Sequence, residues 1–99
     1  MPAKMPATTA VDTTMLSVES PMPGERIKAK NCCFMFRAEV EGAVEASIDG
    51  GAWRRCRHLM GYWWLDWECK RTGPHRVVAR IKTPEGAEFK SGPRRFQVI

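Results

Sequence analysis

Turn signals return about every eight to twelve residues between positions 15 and 99, and between them apolar and polar residues alternate. Alternation with period two places successive side chains on opposite faces of an extended strand. No segment holds a helical period over three turns. A chain punctuated in this way buries its apolar face by pairing strands and packing sheets.

Asn31–Val40 is the clearest strand. Cys32, Phe34, Phe36, Ala38 and Val40 share one face, and Cys33, Met35, Arg37 and Glu39 share the other. Val44–Ile48 repeats the pattern, with Val44, Ala46 and Ile48 inward and Glu45 and Ser47 outward. Asp49-Gly50-Gly51 then supplies the positive φ angles of a hairpin turn. The return strand is expected over Ala52–Arg57; its arginines Arg54, Arg55 and Arg57 mark it as an edge. His58–Gly61 reads as the next reversal.

Tyr62–Cys69 follows, with Trp63, Leu65, Trp67 and Cys69 on one face and Tyr62, Trp64, Asp66 and Glu68 on the other. Lys70–Pro74 reads as a loop. His75–Thr83 is a strand with Val77, Ala79 and Ile81 inward. Thr83-Pro84-Glu85-Gly86 is a turn. Ala87–Ile99 is broken at Ser91-Gly92-Pro93. Together with a short strand at Met15–Val18 and a turn at Ser20–Glu25, this predicts an all-β, immunoglobulin-like antiparallel β-sandwich of about seven strands over residues 15–99. Residues 1–14 hold prolines and no periodicity and are expected to be a flexible, disordered N-terminal tail.

Ninety-nine residues suit one domain, with 43% hydrophobic and 27% charged residues, as in an ordinary globular protein. No run approaches the roughly 20 apolar residues of a membrane span. The N-terminus has no apolar h-region, so no signal peptide is read there and a cytoplasmic location is the default; a secreted or cell-surface chain trimmed of its signal would look the same. The net charge is +5. It modestly favours anionic partners.

Several stretches in order resemble a known family: Ser20-Pro21-x-x-Gly24, Val44-x-Ala46-Ser47-Ile48-Asp49-Gly50-Gly51-x-Trp53, Tyr62-Trp63-x-x-x-Trp67, Gly73-x-His75-x-Val77-x-Ala79-Arg80, and Phe96-x-Val98. They look like the bacterial immunoglobulin-like or fibronectin-like modules. They are also similar to the immunoglobulin-like dimerisation domain of the molybdenum-cofactor sulfite oxidase family. The resemblance implies a sandwich over residues 15–99 and carries no cofactor-binding residue, since these motifs are turn glycines and core aromatics.

The aromatic segment divides by face. Trp63 and Trp67 are expected in the core, whereas Tyr62 and Trp64 point the other way, where they could fill a partner's pocket or stack on a sugar. Arg54, Arg55 and Arg57, with His58, Lys70 and Arg71, could add a basic patch; no nucleic-acid motif accompanies it, and nucleic acid is not expected. The candidate binding face is therefore Tyr62, Trp64, Arg54, Arg55 and Arg57. Cys56-x-His58 lacks the second ligand pair of a metal site, so neither metal nor cofactor is expected. Free thiols are the reading for Cys32, Cys33, Cys56 and Cys69, with Cys69 to Cys32 or Cys33 as the disulfide to look for. His58, His75, Asp66 and Glu68 carry no combined nucleophile, base and orienter, and no enzyme is expected. The function expected is a binding module for a protein partner or for self-association. The alternatives are carbohydrate binding by Trp64 and Tyr62, or a structural subunit of a larger assembly.

Overall fold

The computed structural model describes residues 9–11, 15–28 and 30–99. The described strands are β1 (Thr9–Val11), β2 (Leu16–Ser20), β3 (Glu25–Ile27), β4 (Asn31–Ala38), β5 (Ala43–Ile48), β6 (Arg54–Arg55), β7 (Arg57–Leu59), β8 (Tyr62–Glu68), β9 (Gly73–Lys82), β10 (Glu88–Lys90) and β11 (Arg94–Val98). One sheet is antiparallel in the order β2-β4-β8-β7. The larger sheet runs β1-β10-β9-β11-β3, with β5 on the other side of β9 and β6 beyond β5. Most of the expected tail, residues 1–14, lies outside the described residues; Thr9–Val11 runs parallel to Glu88–Lys90.

The predicted alternation builds the core. Leu16, Phe34, Phe36, Val44, Val77, Ile81 and Phe96 are all buried between the sheets. Phe34 meets Trp67 at 5.7 Å and Phe96 edge-on at 5.6 Å, so rings from both sheets interlock at the centre. Each enclosed aromatic removes roughly 150–250 Å² from water, which concentrates burial in a short chain.

The sandwich expected from the sequence is the one observed, yet its strands are subdivided. Three breaks account for this. The segment around Pro21 carries the chain from β2, in the smaller sheet, to β3, which pairs with β11 in the larger one. Ser91-Gly92-Pro93 splits β10 from β11; there the Ser91 hydroxyl accepts the Ala79 N–H at 2.9 Å in place of a backbone carbonyl. Cys56 splits the expected Ala52–Arg57 edge strand. Its thiol turns into the core, its N–H donates to the Val44 carbonyl at 2.9 Å, and the chain crosses between sheets at that residue.

Two local expectations change as well. The reversal expected over His58–Gly61 is tighter, because His58 and Leu59 belong to β7 and the turn is Met60-Gly61, with φ of 55° and 81°. Ser47, expected outward, is buried, and its hydroxyl donates to the Gly51 carbonyl at 2.8 Å as the turn folds over it.

Candidate interaction surface

β8 positions the aromatic face. β4 pairs with it on one side and β7 on the other. Leu65 is buried on its inner side, with Trp63 and Trp67 packed against the core. On the outer side Trp64 sits between Met35 of β4 and Arg57 of β7, while Tyr62 pairs with Leu59. Cross-strand partners share a face, so these side chains form one surface.

The Trp64 ring is held in place. Its Nε1–H donates to the Leu59 carbonyl at 2.9 Å, and the Tyr62 ring meets it edge-on at 6.2 Å and 72°. Both rings are half-buried. Beside them Leu59 is 56% exposed and Met60 is 84% exposed. Arg57 Nη1 bonds Asp66 Oδ2 at 2.9 Å at the border of this apolar area. That bond, followed by one to Cys33, holds the Asp66 carboxyl below its usual range. The Cys33 thiol is pushed up by partial burial and then by Asp66.

The five sequence candidates do not form one face. Tyr62, Trp64 and Arg57 come together. Arg54 and Arg55 belong to the edge of the other sheet. Arg54 pairs with inward Ala46 and lines a recess of about 330 Å³ with Trp67, Glu68 and His75; Arg55 pairs with outward Glu45. The expected basic patch divides in the same way. Arg57 is engaged by Asp66, and His58 stacks on Trp63 with centroids 4.6 Å apart.

Three features were not anticipated. Met35 and Leu59 join the aromatic surface, a result of pairing register, and the exposed turn residue Met60 follows Leu59. Trp53 lies under the Arg80 guanidinium at 4.1 Å and near Lys90 Nζ at 5.5 Å, on the other sheet. Asp49, His75 and Cys69 align: His75 Nδ1 is 2.6 Å from Asp49 Oδ2, and Nε2 is 3.8 Å from Cys69 Sγ. This resembles a nucleophile, a base and an orienter. However, the Arg71 carbonyl takes bonds from Nε2 at 2.9 Å and from Cys69 Sγ at 2.7 Å, and both Cys69 and His75 are buried. The cluster is therefore committed to holding the chain together.

All four cysteines are free. Cys69 follows β8 in the same sheet as Cys32 and Cys33, and its N–H bonds the Lys30 carbonyl, so neither candidate bridge would join the two sheets. Cys33 also lies on the outer face, whereas Cys69 is in the core. Among the described residues no group of three or more His, Cys, Asp or Glu is gathered to hold a metal ion, and no helix is long and apolar enough to cross a membrane.

No protein-family model and no curated protein matches this chain. Its fold does match solved structures. The fibronectin(III)-like modules of Clostridium thermocellum CbhA are similar at a TM-score of 0.71 and 18% identity, over 85% of this chain and 94% of that one. An engineered protein is similar at a TM-score of 0.70 and 16% identity, over 86% of this chain and 20% of the other. The fold is fibronectin(III)-like. At these identities the likeness concerns architecture alone.

Proposed function

We propose that this chain is a non-catalytic interaction module that grips a protein partner through the outer face of the smaller sheet, centred on Trp64. The observation that carries this reading is the pinned, half-exposed Trp64 ring set among Tyr62, Met35, Leu59 and Arg57. Trp, Tyr, Met and Arg are the residues enriched in protein interfaces, and pre-positioned aromatic anchors lose little rotamer entropy on binding. The ion pair at the border fits the polar rim of such a patch. The likeness of the Val44–Trp53 hairpin to the dimerisation domain of the sulfite oxidase family supports association in a general way.

The carbohydrate alternative would use the same Trp64 and Tyr62. Their rings stand at 72° to one another, so they do not form one flat platform for successive sugars. Retention on insoluble polysaccharide, lost in Trp64→Ala, would favour that alternative over a protein partner. The structural-subunit reading differs in predicting that the Arg54–Arg55 edge, and not the Trp64 face, is covered in the assembly. Cross-linking that maps the covered residues separates the two.

A further inference from the structure

The two ends of the sandwich carry opposite charge. β4 runs from Asn31 to Ala38, so the loops before and after it are separated by roughly 25 Å at about 3.3 Å per residue. Lys28 and Lys30 precede β4. Lys70 and Arg71 follow β8, which is antiparallel to β4 and ends beside its start. These four exposed side chains ring a recess of about 240 Å³, and none makes an ion pair with a described residue.

The opposite end offers a complementary site. A recess of about 540 Å³ is lined there by Glu39, Glu41, His58, Trp63 and Pro84. Trp63 and His58 are stacked at 4.6 Å and 18°. Glu39 is held by Arg37 at 2.8 Å, while Glu41 and the neighbouring Glu85 make no ion pair with a described residue. With His58 stacked on it and the core behind it, Trp63 forms an apolar wall, and the carboxylates beside it suit an ammonium group by their opposite charge. Lys28, Lys30 and Lys70 present such groups at the far end of the same molecule.

We propose that copies of this chain associate head to tail, with the lysines at one end of a copy entering the Glu41–Trp63 recess of the next. Such a contact is heterologous, so it generates rings or open chains, and it leaves the Trp64 face free. It rests on charges at the surface and is therefore salt-sensitive.

Sedimentation of the full chain across a concentration series tests this, at about 20 mM and about 500 mM salt. Average mass should at least double with concentration at low salt and fall to the monomer at high salt. Lys28→Glu/Lys30→Glu/Lys70→Glu makes both ends acidic, and Glu41→Lys/Glu85→Lys makes both basic. Each variant, shown to be folded by its circular dichroism and melting transition, should be monomeric, and an equimolar mixture should associate again. Trp64→Ala should associate as the wild type does. A wild type that stays monomeric at low salt, a mixture of folded variants that stays monomeric, or loss of association in a folded Trp64→Ala variant would overturn the proposal.

Discussion

His75 Nδ1 lies 2.6 Å from Asp49 Oδ2, joining the start of β9 to the turn after β5 across twenty-six positions of sequence. The same carboxylate accepts the Arg76 N–H at 2.9 Å through its other oxygen, and the Asp49 N–H returns a bond to the Arg76 carbonyl. On the far side of the ring, Nε2–H donates to the Arg71 carbonyl. One buried side chain thus pins three segments, while its ring packs on Trp67 and Phe96.

Removing that ring is expected to be costly. His75→Ala should lose about 3–4 kcal/mol, since it deletes the buried ring from its packing on Trp67 and Phe96 and removes its bonds to Asp49 and Arg71. Asp49→Asn, which keeps the shape of the side chain, should cost about 1–2 kcal/mol. Urea unfolding measures both, and a His75→Ala midpoint equal to that of the wild type would show that the link contributes nothing.

The cysteines should differ sharply in reactivity. Burial pushes the Cys56 thiol up to about 12 and the Cys32 thiol up to about 11. At pH 8 the reactive thiolate is then about one part in ten thousand for Cys56 and about one in a thousand for Cys32. Cys33 is exposed and raised less. Native-state alkylation followed by mass spectrometry should label Cys33 ahead of Cys32 and Cys56, with the labelling rate rising with pH. Rapid labelling of native Cys56 would contradict this.

Asp66 gives a pH signature. Its carboxyl is lowered chiefly by the bond from Arg57, so the folded state holds this proton less tightly than the unfolded chain does. The pair's contribution is therefore present above the unfolded carboxyl value and is lost as the pH falls through the folded one. Because both groups are exposed, little stability is at stake. In Arg57→Ala the Asp66 titration, followed by NMR, should move up towards an ordinary aspartate; an unchanged midpoint would mean that the pair is not formed in solution.

Gly42 is required by a close approach. A Cβ built there would lie 2.3 Å from the Lys82 carbonyl oxygen and 2.9 Å from Ile81 Cγ1. Backbone cannot yield as a flexible side chain can, so Gly42→Ala should destabilise by about 1–3 kcal/mol. Gly24 has open space around it and a φ of 71°, so Gly24→Ala should cost only its backbone strain, about 1 kcal/mol. Equal melting temperatures for wild type and Gly42→Ala would refute the contact.

The sandwich is legible because inward positions of β4, β5, β8 and β9 carry mostly Phe, Val, Ala, Leu, Ile and Trp at every second residue, Ser47 being buried out of phase, and Gly-containing turns separate the strands. The crossing at Cys56 is not. Alternation over Ala52–Arg57 fits a continuous strand, and only the three-dimensional placement of a small apolar residue among arginines shows the chain changing sheets there. Period two also sent Tyr62 and Trp64 outward correctly. It says nothing about register across strands, and register is what brings Met35, Arg57 and Leu59 beside them and leaves the backbone of Arg54 and Arg55 on the other sheet. The Asp49–His75–Cys69 cluster was hidden for the same reason, since its members are brought together by sheet pairing and not by any local spacing.

The outer face around Trp64 is tested most directly by parallel capture from nuclease-treated lysate of the source cells, using wild type and Trp64→Ala as baits and quantitative mass spectrometry as the readout. Both baits must first show the same melting transition, as expected for a half-exposed ring. A protein partner retained at least tenfold more by the wild type is the predicted result. Identical retention by the two baits would contradict a binding role for Trp64.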